Sequence, residues 1–194
     1  IFLKIKVRIS IMELIKNLKE LSLAKNLFLA IVGTILLAIS AKIKIPFWPV
    51  PMTMQTFVVL LLGVVYGWKL GLFTVSLYLL EGIAGLPVFA GTPEKGIGLI
   101  YFTGPTMGYL IGFLTATFLA GYMNFQNNIF LNFAKLTLCV STIYIFGILW
   151  LGYLIGWDKP ILQLGVMPFL FAELFKISLL TLIAKKISTL KKFI

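Results

Sequence analysis

Twenty-three charged side chains, 17 basic and 6 acidic, are all that this 194-residue chain has to face water with, and they are bunched. Long stretches such as 26–41, 96–134 and 136–157 carry no charge at all. A globule hides its apolar groups only if enough polar side chains remain to coat the outside, and this distribution cannot coat one. Only 12% of the residues are charged, against about 25% in ordinary soluble domains. With 60% hydrophobic residues and a mean hydropathy of +1.06, a soluble globule is excluded.

A membrane-spanning helix uses about 20 residues to cross ~30 Å of hydrocarbon, so five to seven spans would consume nearly all of these residues. Any energy source or regulatory module is therefore expected on another polypeptide. The formal charge of +11 fits basic loops beside anionic headgroups. No aromatic-basic motif supports nucleic-acid binding. Cys139 is the one cysteine and there is no histidine, which removes a disulfide framework, a thiol ligand set and the commonest general base. The scattered carboxylates Glu81, Glu94, Asp158 and Glu173 show no metal-ligand spacing, so neither a metal nor a cofactor is expected.

The pattern predicts an all-α integral membrane protein with six transmembrane helices and ordered outer loops. Residues 1–24 read as an N-terminal extension and amphipathic surface helix, in which Leu14, Ile15, Leu18 and Leu21 recur at helical spacing beside Lys16, Lys19 and Glu20. Residues 1–11 are expected to be dispensable and not native, with Met12 as the start. A signal peptide is the rival reading, and the basic region is too long for it. The six-span domain covers 25–194. Its spans are expected at Asn26–Ala41, Thr53–Tyr66, Leu70–Gly82, Thr106–Met123, Phe133–Gly156 and Val166–Ala184, with a break at Gly67-Trp68-Lys69. Prolines at 46, 49 and 51 forbid helix there. The stretch from Ile83 to Pro105 is rich in glycine and proline yet apolar, which suits a packed lid better than a linker.

Of the sixteen basic residues other than Lys176, twelve fall on the side of the termini and four (Lys42, Lys44, Lys95 and Lys159) on the other. Both termini are therefore expected in the cytoplasm.

A P-loop requires Gly-x4-Gly-Lys-Ser/Thr. The nearest approach, Gly91 to Gly96, continues with Ile97 and Gly98, so nucleotide hydrolysis by that route is excluded. The informative charges lie inside apolar spans, where each costs about 2.5 to 3.5 kcal/mol at the centre. Glu173 and Lys176 are three apart, hence on one helix face; they are either a mutually neutralising pair or the polar wall of a solute pocket. Glu81 ends the third span and is either a wet helix end or a pocket group. Gln55, beside Thr53 and Thr56, is either part of a helix cap or a ligand contact. Trp48, Phe89, Tyr101 and Tyr109 stand in or next to the broken loops and are candidates to line a pocket. Ala30, Thr34 and Ala38 form a small-residue ridge that serves either internal packing or docking of a partner helix.

Three segments, Val50-Pro51-Met52-Thr53-Met54-Gln55-Thr56, Gly85-Leu86-Pro87-Val88-Phe89-Ala90-Gly91 and Gly104-Pro105-Thr106-Met107-Gly108-Tyr109-Leu110-Ile111-Gly112-Phe113, resemble the BioY family, the biotin-specific S components of energy-coupling factor (ECF) transporters. The resemblance runs from about Ile45 to Lys176 and is weak between Asn124 and Gly165. A fourth family segment, Pro-x-x-Pro-Gly-Asp-x-x-Lys, is met by Pro168 to Lys176, with Glu173 in place of aspartate and Phe171-Ala172 in place of Pro-Gly. Met107 stands where the family usually has glycine.

The resemblance implies a six-helix, multi-pass protein of a prokaryotic cytoplasmic (inner) membrane, in contact with lipid, which captures biotin outside with high affinity and delivers it inside. It implies no enzyme activity, and as partners a transmembrane coupling subunit and two ATPases. It makes Glu173 and Lys176 the foremost polar ligand contacts, with Tyr109, Phe89 and Gln55 in the pocket, Trp48 and Glu81 beside it, and the Ala30, Thr34 and Ala38 ridge as the docking face. An S component for another vitamin or small heterocycle is the alternative. A membrane-embedded enzyme lacks histidine, a serine with a base at suitable spacing and a metal cluster.

Overall fold

The computed structural model describes residues 2–46, 48–94 and 96–192, with the side chains of 2–21 left undescribed. The amphipathic pattern expected from Met12 to Leu21 thus lies outside the described side chains, as do Phe47 and Lys95. α1 (Phe2–Lys42) is one continuous helix. A two-stranded antiparallel hairpin follows, β1 (Lys44–Ile45) pairing with β2 (Met52–Thr53), Lys44 opposite Thr53 and Ile45 opposite Met52. The proline-rich segment forms the loop of this hairpin, since it can neither donate to a ladder nor continue a helix.

α2 (Gln55–Ile83) is broken at Gly67, whose φ of 76° and ψ of 175° lie outside helical space, in a region open chiefly to glycine. Gln55 Nε2 donates to the Tyr78 hydroxyl at 2.7 Å, although a straight helix would separate the two residues by about 35 Å at 1.5 Å per residue. The halves 55–66 and 68–83 are therefore folded back on each other, as the Gly67-Trp68-Lys69 break leads one to expect. α3 (Met107–Tyr122), α4 (Ile129–Ile155), the short α5 (Ile161–Gly165) and α6 (Leu170–Ser188) complete the chain. The Asn128 side chain caps α4 by accepting from the Leu131 amide at 3.0 Å.

α3 packs between α2 and α4, and α6 closes the bundle against both. Leu37, Leu60, Tyr78, Leu136, Ile143, Leu151 and Leu180 are fully buried at its centre. The exterior is apolar as well: Phe28, Ile35, Phe73, Phe130, Phe171 and Phe175 are among the exposed side chains. Among the described residues, four helical stretches, Ser22–Lys42, Gln55–Ile83, Ile129–Ile155 and Ile161–Lys192, are long and apolar enough to cross a membrane, and Met107–Tyr122 is apolar but shorter.

The ridge expected as a docking face is used inside the chain. Ala30 is 0% and Thr34 2% exposed, and Ala38 is half-buried against the core. Between them sits Gly33, where an added Cβ would lie 2.5 Å from Thr74 Cγ2 on α2, and Tyr66 donates to the Leu29 carbonyl at 3.0 Å. Small side chains let α1 press onto α2 here.

The two ends of the bundle differ. At one end Lys191 Nζ donates to the Gly121 carbonyl at 2.9 Å, Lys185 Nζ bonds Asn127 Oδ1, and Lys135 Nζ donates to the Asn124 carbonyl at 2.6 Å. The other end gathers the hairpin, the loop 84–106 and the segment 156–169.

Candidate binding site

At the end away from that lysine cluster, the hairpin, α2 and the loop after it, α3, α4 and α6 surround a small cavity. Its polar wall starts from α6. Glu173 occupies the first turn of that helix, where the helix N-terminus favours a carboxylate. Lys176, one turn on, is directed to the same side and is 4% exposed, against 5% for Glu173.

The ammonium of Lys176 donates to Glu173 Oε1 at 2.8 Å, to Thr56 Oγ1 at 2.9 Å and to the Thr53 carbonyl at 2.6 Å. Its three hydrogens are thereby spent. The Thr56 hydroxyl donates in turn to Glu173 Oε1 at 2.8 Å. Glu173 Oε1 is thus doubly satisfied, while Oε2 is buried with no partner in hydrogen-bond geometry. The Tyr144 hydroxyl is the other polar group facing this carboxylate. With only that hydroxyl beside it, Oε2 has capacity for a further donor, and a buried acceptor left wholly unmade costs about 1–3 kcal/mol.

Aromatic rings form the remaining walls. Phe89 is 1% exposed, stacked on Tyr101 at 4.7 Å and edge-on to Tyr78 at 5.3 Å. Its ring occupies the space that a Cβ on Gly82 would fill. Tyr109 donates to the Gly165 carbonyl at 2.9 Å and meets Tyr144 edge-on at 5.9 Å. Gln55 donates to the Tyr78 hydroxyl, which in turn donates to the Val88 carbonyl at 2.9 Å. Burial pushes the Tyr101 hydroxyl above the usual phenol range, which keeps it a neutral group; it accepts from the Gly91 amide at 3.2 Å.

Of the residues singled out in the sequence, Gln55, Phe89, Tyr109 and Glu173 line the cavity together with Tyr101 and Thr56. Lys176 stands behind Glu173, bonded to it and outside the lining. Trp48 is 75% exposed and Glu81 is half-buried at the end of α2; neither lines the cavity. Tyr144, Phe113 and Ile143 also contribute to the wall. Phe113 closes the Gly104–Phe113 motif, whereas Ile143 and Tyr144 lie in an uncharged span where neither a loop break nor a charge distinguishes them from lipid-facing residues. Among the described residues there is no group of three or more His, Cys, Asp or Glu able to hold a metal.

The sequence model of the BioY family matches residues 12–193. The probable biotin transporter BioY of Pyrococcus horikoshii is 35% identical over 84% of this chain and 96% of its own length. The biotin transporter BioY of Thermotoga maritima is 34% identical over 86% and 98%. Among solved structures, the S-component for biotin from an ECF-type ABC transporter, determined at 2.1 Å, superposes with a TM-score of 0.72 at 26% identity, covering 87% of this chain and 93% of that one. A match through all four helical stretches and the cavity, joined to relatives aligned over nearly their full length, leaves one assignment: the chain belongs to the BioY family.

Proposed function

We propose that this protein captures biotin in the cavity beside Glu173 and serves as the substrate-binding subunit of an ECF-type biotin transporter. Biotin presents a ureido ring with two N–H donors and a carbonyl, an apolar thioether ring and a valerate carboxylate. The observation that carries the reading is Glu173, a buried carboxylate whose Oε2 accepts no bond in close geometry and has only the Tyr144 hydroxyl beside it, in an otherwise aromatic cavity. A ureido N–H supplies the donor it lacks, and Phe89, Tyr101, Tyr109 and Phe113 suit the thioether ring. Lys176, its donors spent inside the protein, acts through Glu173. No described lining residue is cationic, and burying an unpaired carboxylate is costly, so the valerate end points toward the loops and water.

In this reading the halves of α2 and the short α3 each cross a thinned part of the bilayer, which makes six crossings after an N-terminal extension. The excess of lysine at the end carrying the C-terminus supports cytoplasmic termini and a site facing outward. A membrane coupling subunit and ATPases on other polypeptides supply the energy.

The test is to purify the protein from biotin-fed cells, release bound small molecules by denaturation and identify them by mass spectrometry. Stoichiometric biotin, undisplaced by thiamine or riboflavin, is the expected result. Protein that carries another vitamin, or that takes up no labelled biotin, rejects the reading.

A further inference from the structure

The roof of the cavity is held from outside by two cations that take no part in its lining. Phe89 and Ala90 line the cavity, and their carbonyls accept from lysines that do not. Lys42 Nζ, at the end of α1, donates to the Phe89 carbonyl at 2.9 Å, to the Thr92 carbonyl at 2.9 Å and to Thr92 Oγ1 at 3.2 Å. Lys44 Nζ, on β1, donates to the Ala90 carbonyl at 2.7 Å. The same four residues are held otherwise by the Tyr101 hydroxyl at Gly91 N and by their own turn, in which Thr92 Oγ1 and N both bond the Phe89 carbonyl. Among the described residues, Lys44 and Glu94 are the charged groups that act on Lys42.

Both lysines are exposed, and they lie 46 to 50 residues from their acceptors. An exposed ammonium is well solvated without any partner. Spending all three hydrogens of Lys42 on one turn of a distant loop therefore fixes the loop and does little for the lysine. The turn carries the Phe89 ring, which is wedged over Gly82 and stacked on Tyr101, so lifting the turn would withdraw that ring from the cavity wall.

We propose that Lys42 and Lys44 are positioning residues that latch the 89–92 turn over the occupied cavity, so that they set how long the ligand stays. The inference rests on reading the cavity as the biotin site. The bonds run to neutral carbonyls, so the latch competes with water and opens without separating an ion pair.

The test compares wild type with Lys42→Ala/Lys44→Ala and with Lys42→Arg, in purified full-length protein. Labelled biotin chased with unlabelled biotin should leave the double variant at least tenfold faster, and Lys42→Arg, which keeps the charge and several donors, should fall between the two. Hydrogen exchange in ligand-free protein should speed up at the Gly91 and Thr92 amides in the double variant and stay unchanged in α3 and α4. Unchanged release from a double variant with the wild-type thermal midpoint overturns the latch. If the double variant fails to fold, Lys44→Ala decides, since its ammonium makes a single bond and sits at the surface; release indistinguishable from wild type again overturns it. If wild type binds no biotin, the proposed function fails, and the exchange measurement still decides whether the lysines hold the turn.

Discussion

Lys176 Nζ lies 2.8 Å from Glu173 Oε1, with the two side chains 5% and 7% exposed. The pair is bound on both sides to the start of α2 through Thr53 and Thr56, so it joins α6 to the hairpin as well as walling the cavity. Breaking a buried pair by removing one member costs about 3–5 kcal/mol, because the other charge is left uncompensated. The two truncations should nevertheless differ in what they report. Glu173→Ala removes the proposed ligand acceptor and should weaken biotin binding at least thirtyfold, from a loss of about 2–5 kcal/mol at 1.4 kcal/mol per tenfold. Lys176→Ala should lower the thermal midpoint of ligand-free protein together with affinity. Titration calorimetry with thermal unfolding measures both, and a folded Glu173→Ala protein of unchanged affinity would show the pair to be structural.

Thr56→Val tests the bridge without altering charge. The hydroxyl both donates to Glu173 and accepts from Lys176, so its loss leaves two buried groups short of a partner, at about 1–3 kcal/mol. An affinity about five- to 150-fold weaker is expected at 1.4 kcal/mol per tenfold, with the fold retained by gel filtration. Affinity equal to wild type would mean that the carboxylate is not oriented by Thr56.

Gly82→Ala acts on the roof. Its new Cβ would occupy the place of the Phe89 ring, and overpacking of this kind costs about 1–3 kcal/mol. Phe89 should shift toward the cavity and biotin affinity fall roughly tenfold, in keeping with the 1.4 kcal/mol scale. Affinity unchanged alongside an unchanged thermal midpoint would show that the ring has room elsewhere.

Ala30→Trp distinguishes internal packing from docking. Ala30 has no exposed surface, so an indole there must part α1 from α2. Aggregation on gel filtration, or a midpoint lowered by several degrees, is the expected outcome. A well-folded variant that binds biotin and fails only in energised uptake would return the ridge to a docking role.

Orientation is checked with a reporter fluorescent only in the cytoplasm, fused at the C-terminal end. The lysines at 185, 186, 191 and 192 predict a bright fusion. A dark one, with an active reporter of the external side, would reject the proposed arrangement.

Membrane residence, the helix breaks and the family were legible in the residues because each rests on local chemistry. Uncharged runs of span length cannot be dissolved in water, glycine and proline interrupt helices wherever they stand, and the motif around Gln55 or Tyr109 is contiguous in the chain. The same locality let the spacing of Glu173 and Lys176 place both on one helix face. It could not divide their roles, since that depends on Thr53 and Thr56, more than a hundred residues away, which consume the lysine's hydrogens and leave one carboxylate oxygen free. The ridge on α1 was ambiguous for a related reason: small side chains permit close approach, and only the position of Thr74 on α2 reveals which helix approaches. Trp48 and Tyr144 complete the contrast. One stands in a motif-rich loop yet faces outward, the other in a featureless apolar run yet faces Glu173, because the direction of a side chain is set by how the helices and loops pack around it.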